Sequence, residues 1–314
     1  MITISRIEIK GFFDRGDFVW NLDPTVNILG GKNGSGKTSI FRCCYDLLSK
    51  NEITEGLDRS FYNLFESVCI SFSSGWSLIW KRVPAADTKS YLEYSQLWFE
   101  NAIRVVDNLG VERNFEELRK EIQVCYLNSF EQRISQAREY EKLPSTQSLD
   151  DPILLDLMIK DQINLRNTLR SKAVERLFKI SKDNTKSAIE LADYLKQSDK
   201  IYTSLARFFK GYAEPFEADF NFVKNGDFIS FNKLSMGEKQ ILLLLLMISN
   251  TEESPCIFFM DEPDLSMHID WKEILISELH ELNPNMQIIL STHAPSVITG
   301  WLDRVKEVEQ LVSK

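Results

Sequence analysis

Gly31-Lys32-Asn33-Gly34-Ser35-Gly36-Lys37-Thr38 decides how this chain is read. A glycine, four residues and Gly-Lys-Thr form the pattern of a phosphate-binding loop. Glycines let consecutive backbone N–H groups curl around an anion. A helix that follows presents its positive end to the same anion. An isolated match can be an ordinary Gly/Ser turn, so the flanks matter. On one side Thr25-Val26-Asn27-Ile28-Leu29 is a short apolar strand. On the other, Ile40, Cys43, Cys44, Leu47 and Leu48 have helical spacing over Thr38 to Leu48. Asn33, Gly34, Ser35, Gly36, Lys37, Thr38 and Ser39 are therefore candidate phosphate-binding residues. Lys37 would reach the terminal phosphates, and the Thr38 hydroxyl would hold a divalent cation.

Three further stretches carry candidate chemistry. Cys256 to Met260 is a continuous apolar run followed by Asp261 and Glu262. A buried strand ending there would place Asp261 beside a metal and Glu262 where it can take a proton from water, although most strands ending in acidic residues merely leave the core. Leu234-Ser235-Met236-Gly237-Glu238-Lys239-Gln240 precedes the apolar run Ile241–Ile248; by itself it reads as a helix start, with Ser235 as N-cap and Glu238 completing a capping box. Met286 to Leu290 is a second continuous strand and ends in Ser291-Thr292-His293. A histidine at a strand end is by itself more often structural than catalytic. Continuous rather than alternating strands predict a sheet covered on both faces.

Elsewhere the first third is β-rich. Ile4, Ile7 and Ile9 give an imperfect period of two, and Ser73-Ser74-Gly75 and Asn225-Gly226 mark hairpins. Residues 131–213 turn helical and polar, broken near the start by Pro144 and Pro152. The pattern predicts an α/β domain, residues 1–130 and 214–314, interrupted by a helical insertion, 131–213.

The chain has 314 residues, 43% hydrophobic and 26% charged, which are globular values. No apolar run approaches the roughly 18 residues of a membrane span, and the start reads as a strand rather than a secretion signal. A cytoplasmic protein with no membrane partner is expected. Cys43, Cys44, Cys69, Cys125 and Cys256 show no paired metal spacing and are expected as reduced core thiols. With three histidines, a zinc enzyme is not expected. The net charge is −9, yet residues 131–210 hold 15 Lys or Arg against 12 Asp or Glu, leaving −12 elsewhere. An acidic bulk argues against indiscriminate nucleic-acid binding.

Taken in order, phosphate loop, Ser-Met-Gly-Glu segment, acid pair and histidine resemble the ABC-type ATPase heads, a P-loop fold with a mixed sheet and flanking helices. The resemblance covers 1–130 and 214–314. It implies ATP and Mg²⁺ as ligands, with Thr38 and Asp261 at the metal and Glu262 as base. Ser235, Gly237 and Glu238 would form the signature that meets the γ-phosphate held by a second copy. His293 would be the switch histidine. The family also has a glutamine contacting metal and water; Gln132 is the candidate, ahead of Gln123 and Gln136. Transporter heads usually read Leu-Ser-Gly-Gly-Gln, from which Met236 and Glu238 depart. Glu238, the opening Ile7-Glu8-Ile9-Lys10-Gly11-Phe12-Phe13 and Asn33–Thr38 resemble the RecF, SMC and OLD-like branch. The stretches Asp261 to Trp271 and Ser291 to Ile298 resemble its OLD-like members most, with Asp264 where Glu is usual and Ala294 where Ser is usual.

The resemblance implies an ATP-sandwiched dimer or higher homo-oligomer that controls a separately encoded effector, a nuclease or toxin, in anti-phage defence. Many OLD-like proteins continue into a Toprim nuclease; 21 residues follow His293 here (314 minus 293), so a nuclease is expected on another polypeptide. The alternatives are a RecF-like DNA-repair ATPase, recognisable by salt-sensitive duplex binding, a transporter's nucleotide-binding subunit, and a scaffold that binds nucleotide without turnover. An insertion of about eighty residues folded as a hairpin reaches about 60 Å at most, which excludes a long SMC-type coiled coil. Within it Lys172, Arg176, Lys179, Lys182 and Lys186 share one arc of a helix, a solvated face or a docking stripe for an acidic partner or nucleic acid. A helix break at Asp183-Asn184-Thr185 would remove the last two.

Overall fold

A computed structural model describes residues 1–49, 64–82, 103–128, 154–180, 200–212 and 220–313. By contact the chain divides into two compact units: Met1–Leu127 with Pro255–Pro263 and Asn285–Lys314, and Asn128–Ser254 with Asp264–Pro284.

The first unit holds two sheets. Strands β1 (Ile4–Lys10), β2 (Asp17–Asn21), β4 (Ser67–Phe72), β5 (Ser77–Lys81), β6 (Ile103–Val106), β7 (Glu112–Arg113) and β14 (Val312–Ser313) form a seven-stranded sheet in the order β14-β2-β1-β4-β5-β6-β7. Its six neighbouring pairs are all antiparallel. The broken period at its start has a local cause. A bulge lies between Ile4 and Arg6 opposite Phe72 and Ser71. The extra residue shifts the phase, so Ile4, Ile7 and Ile9 are all buried.

The second sheet has the order β13-β3-β12-β11-β8, with β3 (Val26–Gly30), β8 (Gln123–Asn128), β11 (Cys256–Asp261), β12 (Met286–Ser291) and β13 (Val305–Glu307). β13, β3, β12 and β11 run parallel. Every residue of β3, β11 and β12 is buried, as their continuous apolar runs predict. Helix α1 (Lys37–Ser49) contributes to a core shared with both sheets: Phe41 stacks 6.5 Å from Trp20 of β2 and lies 5.7 Å from Phe259 of β11. A short helix, α2 (Phe115–Glu121), is capped by Asn114.

In the second unit α3 (Leu154–Ile180), helical residues 200–208, the hairpin β9 (Phe222–Lys224) and β10 (Asp227–Ile229), α4 (Met236–Ser249) and α5 (Ile269–Leu282) come together. The hairpin turns at Asn225 and Gly226, with φ of 55° and 88°, as the Asn-Gly pair predicts. α4 is buried all round from Ile241 to Leu246, so it is a core helix needing cover on every side. α3 supplies part of that cover. Asp156 pairs with Lys239 at 2.7 Å in a buried contact, and Arg166 donates to Ser249 Oγ at 2.7 Å. The segment 131–213, expected as a separate insertion, thus gives 154–180 and 200–212 to the same unit as the signature, and the unit boundaries fall elsewhere than at 130/131 and 213/214. On the expected basic stripe, Lys172 is exposed, Val174 two residues on is exposed too, and Lys182 and Lys186 lie outside the described residues.

Candidate active site

The phosphate loop runs from the end of β3 to the first turn of α1. Gly31, Gly34 and Gly36 have φ of 138°, 75° and 105°, which side chains resist. Gly36 has a second reason to be glycine. A Cβ there would come within 2.7 Å of the rings of Phe12 and Phe13. The loop is closed by Ser35 N donating to Lys32 O at 3.0 Å, and the helix opens with Ile40 N on Gly36 O at 2.9 Å. Lys37, only 6% exposed, folds back and donates from Nζ to Gly31 O at 2.9 Å and Lys32 O at 3.3 Å.

The same Nζ lies 2.9 Å from His293 Nε2. An ammonium has only donors, so in this contact Lys37 donates and the imidazole nitrogen accepts. Glu262 Oε1 is 3.4 Å from the same nitrogen. Lys37, His293 and Glu262 therefore converge from three chain segments, at the carboxyl ends of neighbouring parallel strands β3, β12 and β11. Open α/β sheets bind ligands at these ends. Asp261 is wholly buried; Ser291, its register partner on β12, donates to its Oδ1. Glu262 is held at φ 49°, a strained conformation for a residue with a side chain. Its N–H is fixed by Ser291 O at 3.0 Å and Ser291 Oγ at 3.2 Å.

The loop suits a phosphate chain. Ser35 Oγ is buried with no hydrogen-bond partner among the described residues, Asn33, Gly34 and Thr38 are exposed, and Ser39 is half-buried. Thr38 and Asp261 offer the oxygen donors that a hard cation takes. Gln132 and Gln136 lie outside the described residues; Gln123 opens β8, next to β11.

The signature belongs to the second unit. Ser235 caps α4 and is exposed; its Oγ accepts from Glu238 N, while Glu238 Oε2 accepts from Ser235 N at 2.8 Å, a complete capping box. Gly237 is pressed against the Ser266 carbonyl, where a Cβ would collide. Ser235 and Gly237 open onto a cavity of about 590 Å³ whose walls include Arg207, Lys210, His268 and Trp271. Burial alone would raise the Glu238 carboxyl, but hydrogen bonds from Tyr212 and Ser235 and the Lys224 charge outweigh it, so its pKa lies below the ordinary value.

Two contacts were not legible in the sequence. Ser291 was only part of the segment before His293, yet it holds both acidic residues. Glu309, in α7 (Val308–Leu311), which follows the short helix α6 (Pro295–Ile298), accepts from Lys32 N at 3.2 Å. Its carboxyl is held below the usual range by its own backbone N–H first, then by Lys32 and Lys37. These partners are 277 positions apart, and no local pattern signals that. The five cysteines are free; burial pushes the Cys44 and Cys256 thiols up to about 12. Among the described residues no His/Cys/Asp/Glu group has metal-site form, and no helix is long and apolar enough to cross a membrane.

Residues 26–299 match the protein family described as "AAA domain, putative AbiEii toxin, Type IV TA system". The chain belongs to this AAA-domain family. Among its curated relatives is the "Retron Vc95 probable ATPase" of Vibrio cholerae serotype O1 biovar El Tor, 37% identical over 105 residues, 30% of this chain and 20% of that protein. The "Retron Ec83 probable ATPase" of Escherichia coli is 26% identical over 162 residues, 48% of this chain and 30% of that protein. The match thus spans less than a third of either relative. Among solved structures, the SMC head domain from Thermotoga maritima superposes with a TM-score of 0.56 at 14% identity, over 97% of this chain and 94% of that one. The AAA-domain chain therefore has the ABC-type ATPase head fold.

Proposed function

We propose that the protein is an Mg-ATP-hydrolysing switch whose two copies close on two nucleotides and thereby control a separate effector. The convergence of Lys37, His293 and Glu262 within 3.4 Å at the strand ends carries this reading. The loop N–H groups and Lys37 bind the phosphates, and Lys37 exchanges its two carbonyl partners for phosphate oxygens. Glu262 takes a proton from the attacking water, its backbone held by Ser291 so that the carboxylate stays aimed. His293, released from Lys37, turns to the γ-phosphate. Thr38 and Asp261 would hold an Mg²⁺, which would supply positive charge to the phosphate oxygens, and Gln132 is the proposed further contact.

Ser235, Gly237 and Glu238 complete the site of the second copy. Met236 in the signature, Leu265 in the loop before α5 and Ile269 at the start of α5 are 48%, 50% and 60% exposed, which suits a face that another copy covers. The family's description names a Type IV TA system and the curated relatives are named for retrons; both support an effector-controlling role in anti-phage defence, and the cytoplasm is the proposed location. Residues 131–213 are proposed as the partner-binding part. Glu262→Gln tests the reading: light scattering after gel filtration should find an ATP-dependent dimer with phosphate release down by on the order of 10²–10⁴-fold. Parental turnover, or a monomer at every ATP concentration, would remove it.

A further inference from the structure

The signature of this chain carries a charge that the glutamine of transporter heads lacks. Glu238 sits one residue beyond Gly237, close to where an anionic phosphate would arrive. A mobile carboxylate there would repel the phosphate and would also leave Ser235 without its cap. The structure holds this carboxylate from outside the signature. Tyr212 Oη donates to Glu238 Oε1 at 2.7 Å, leaving Oε2 for the Ser235 N–H at 2.8 Å. The Tyr212 ring is fixed edge-on by Phe209 at 5.6 Å and Phe222 at 5.8 Å. Lys224 Nζ lies 4.4 Å from the ring centroid and 3.4 Å from the hydroxyl, so a cation backs the same group. The next signature residue, Lys239, is fastened to Asp156. The start of α4 is therefore anchored on both sides by residues from the segment 131–213.

We propose that Tyr212 is a positioning residue for ATP-driven dimerisation, acting through Glu238 to keep Ser235 aimed and the carboxylate turned from the incoming phosphate. Because Tyr212 lies in the turn that follows helical residues 200–208, displacement of that stretch by a partner would loosen the signature without touching the phosphate loop. This rests on the reading that Ser235 meets the nucleotide of a second copy.

The test is a double-mutant cycle in the Glu262→Gln background, with ATP-dependent dimerisation followed by light scattering and nucleotide affinity by a fluorescent ADP analogue. Tyr212→Phe keeps the ring and its packing. It should weaken the dimer by on the order of tenfold, the loss of one charge-assisted hydrogen bond, with ADP affinity unchanged. Lys224→Gln should act in the same direction and less. Once Glu238→Gln is present, adding Tyr212→Phe should change nothing more, because the two act as one unit. A dimer as strong in Tyr212→Phe as in its parent overturns the proposal, as does an effect that adds independently to Glu238→Gln. If the Glu262→Gln parent fails to dimerise with ATP, the switch reading itself falls and takes this inference with it.

Discussion

At the carboxyl ends of β3, β11 and β12, Lys37, Asp261 and Glu262 are buried or half-buried, and with the exposed His293 they are tied to one another across strands; at the start of α4 the signature serine is exposed and is held by its own turn, with help from Tyr212. The first arrangement is tertiary: Asp261 with Ser291, Lys37 with His293, and Glu262 fixed through its backbone at a strained φ. The second is mostly local, a capping box spanning four residues. The difference fits the two tasks proposed for these regions. Chemistry on a phosphate needs groups that do not move during the reaction. A surface that must meet and leave a second molecule has to stay exposed.

Changes at the strand ends should abolish binding or turnover, whereas changes at α4 should spare nucleotide affinity. The largest effect is expected from Lys37→Met, which removes the loop's buried cation. Phosphate release should fall by about 10²–10³-fold, and fluorescent-nucleotide titration should find affinity lost with it. Retained affinity would mean that the loop N–H groups alone hold the phosphates. Next comes Asp156→Ala, which leaves Lys239 buried without its partner. Denaturant unfolding should give a loss of about 3–5 kcal/mol, and no loss would show that water reaches the lysine. Ser235→Ala should cost stability only about 1 kcal/mol, the worth of an N-cap, while dimerisation and turnover fall well beyond that and ADP affinity stays. Loss of ADP affinity would break the division between the two regions.

The smallest effect is a pH dependence. Burial first, and then its bond to Glu238, push the Tyr212 hydroxyl up to about 12 from 10.0. A raised pKa means the folded chain keeps a proton that the unfolded chain loses. Its contribution is whole below pH 10 and disappears as pH rises toward 12. The Glu238 carboxyl is lowered, so its contribution is present above the ordinary carboxylate value and is lost as pH falls below it. Thermal melts of Tyr212→Phe against the parent should converge at the alkaline end. A constant offset up to pH 12 would show that the hydroxyl is not the titrating group.

Much of this was legible residue by residue. The phosphate loop, the cap at Ser235, the Asn225-Gly226 hairpin and the three continuous strands are set by interactions within a few positions, so composition and period reveal them. Position in the sheet is another matter. That β12 lies between β3 and β11 follows from pairing between distant segments, and it is this order that brings His293 to Lys37 and Ser291 to Asp261. The bulge in β1 disguised a regular strand by one residue. The segment 131–213 read as an insertion because it is polar and helical, yet α3 within it covers part of α4, whose all-round burial had to be met by some neighbour.

Local chemistry was enough to specify that this chain forms a glycine loop with a phosphate-binding pattern, ends two apolar strands in acid and histidine, and caps a core helix with serine. Backbone conformation and hydrogen bonding over short spans determine such features, and those depend on adjacent residues alone. The meeting of Lys37, His293 and Glu262, the contact of Glu309 with a loop 277 positions earlier, and the hold of Tyr212 on Glu238 were decided only by the folded chain. Each depends on which surfaces pack together, and that is settled by burying apolar area over the whole unit, not by any one stretch.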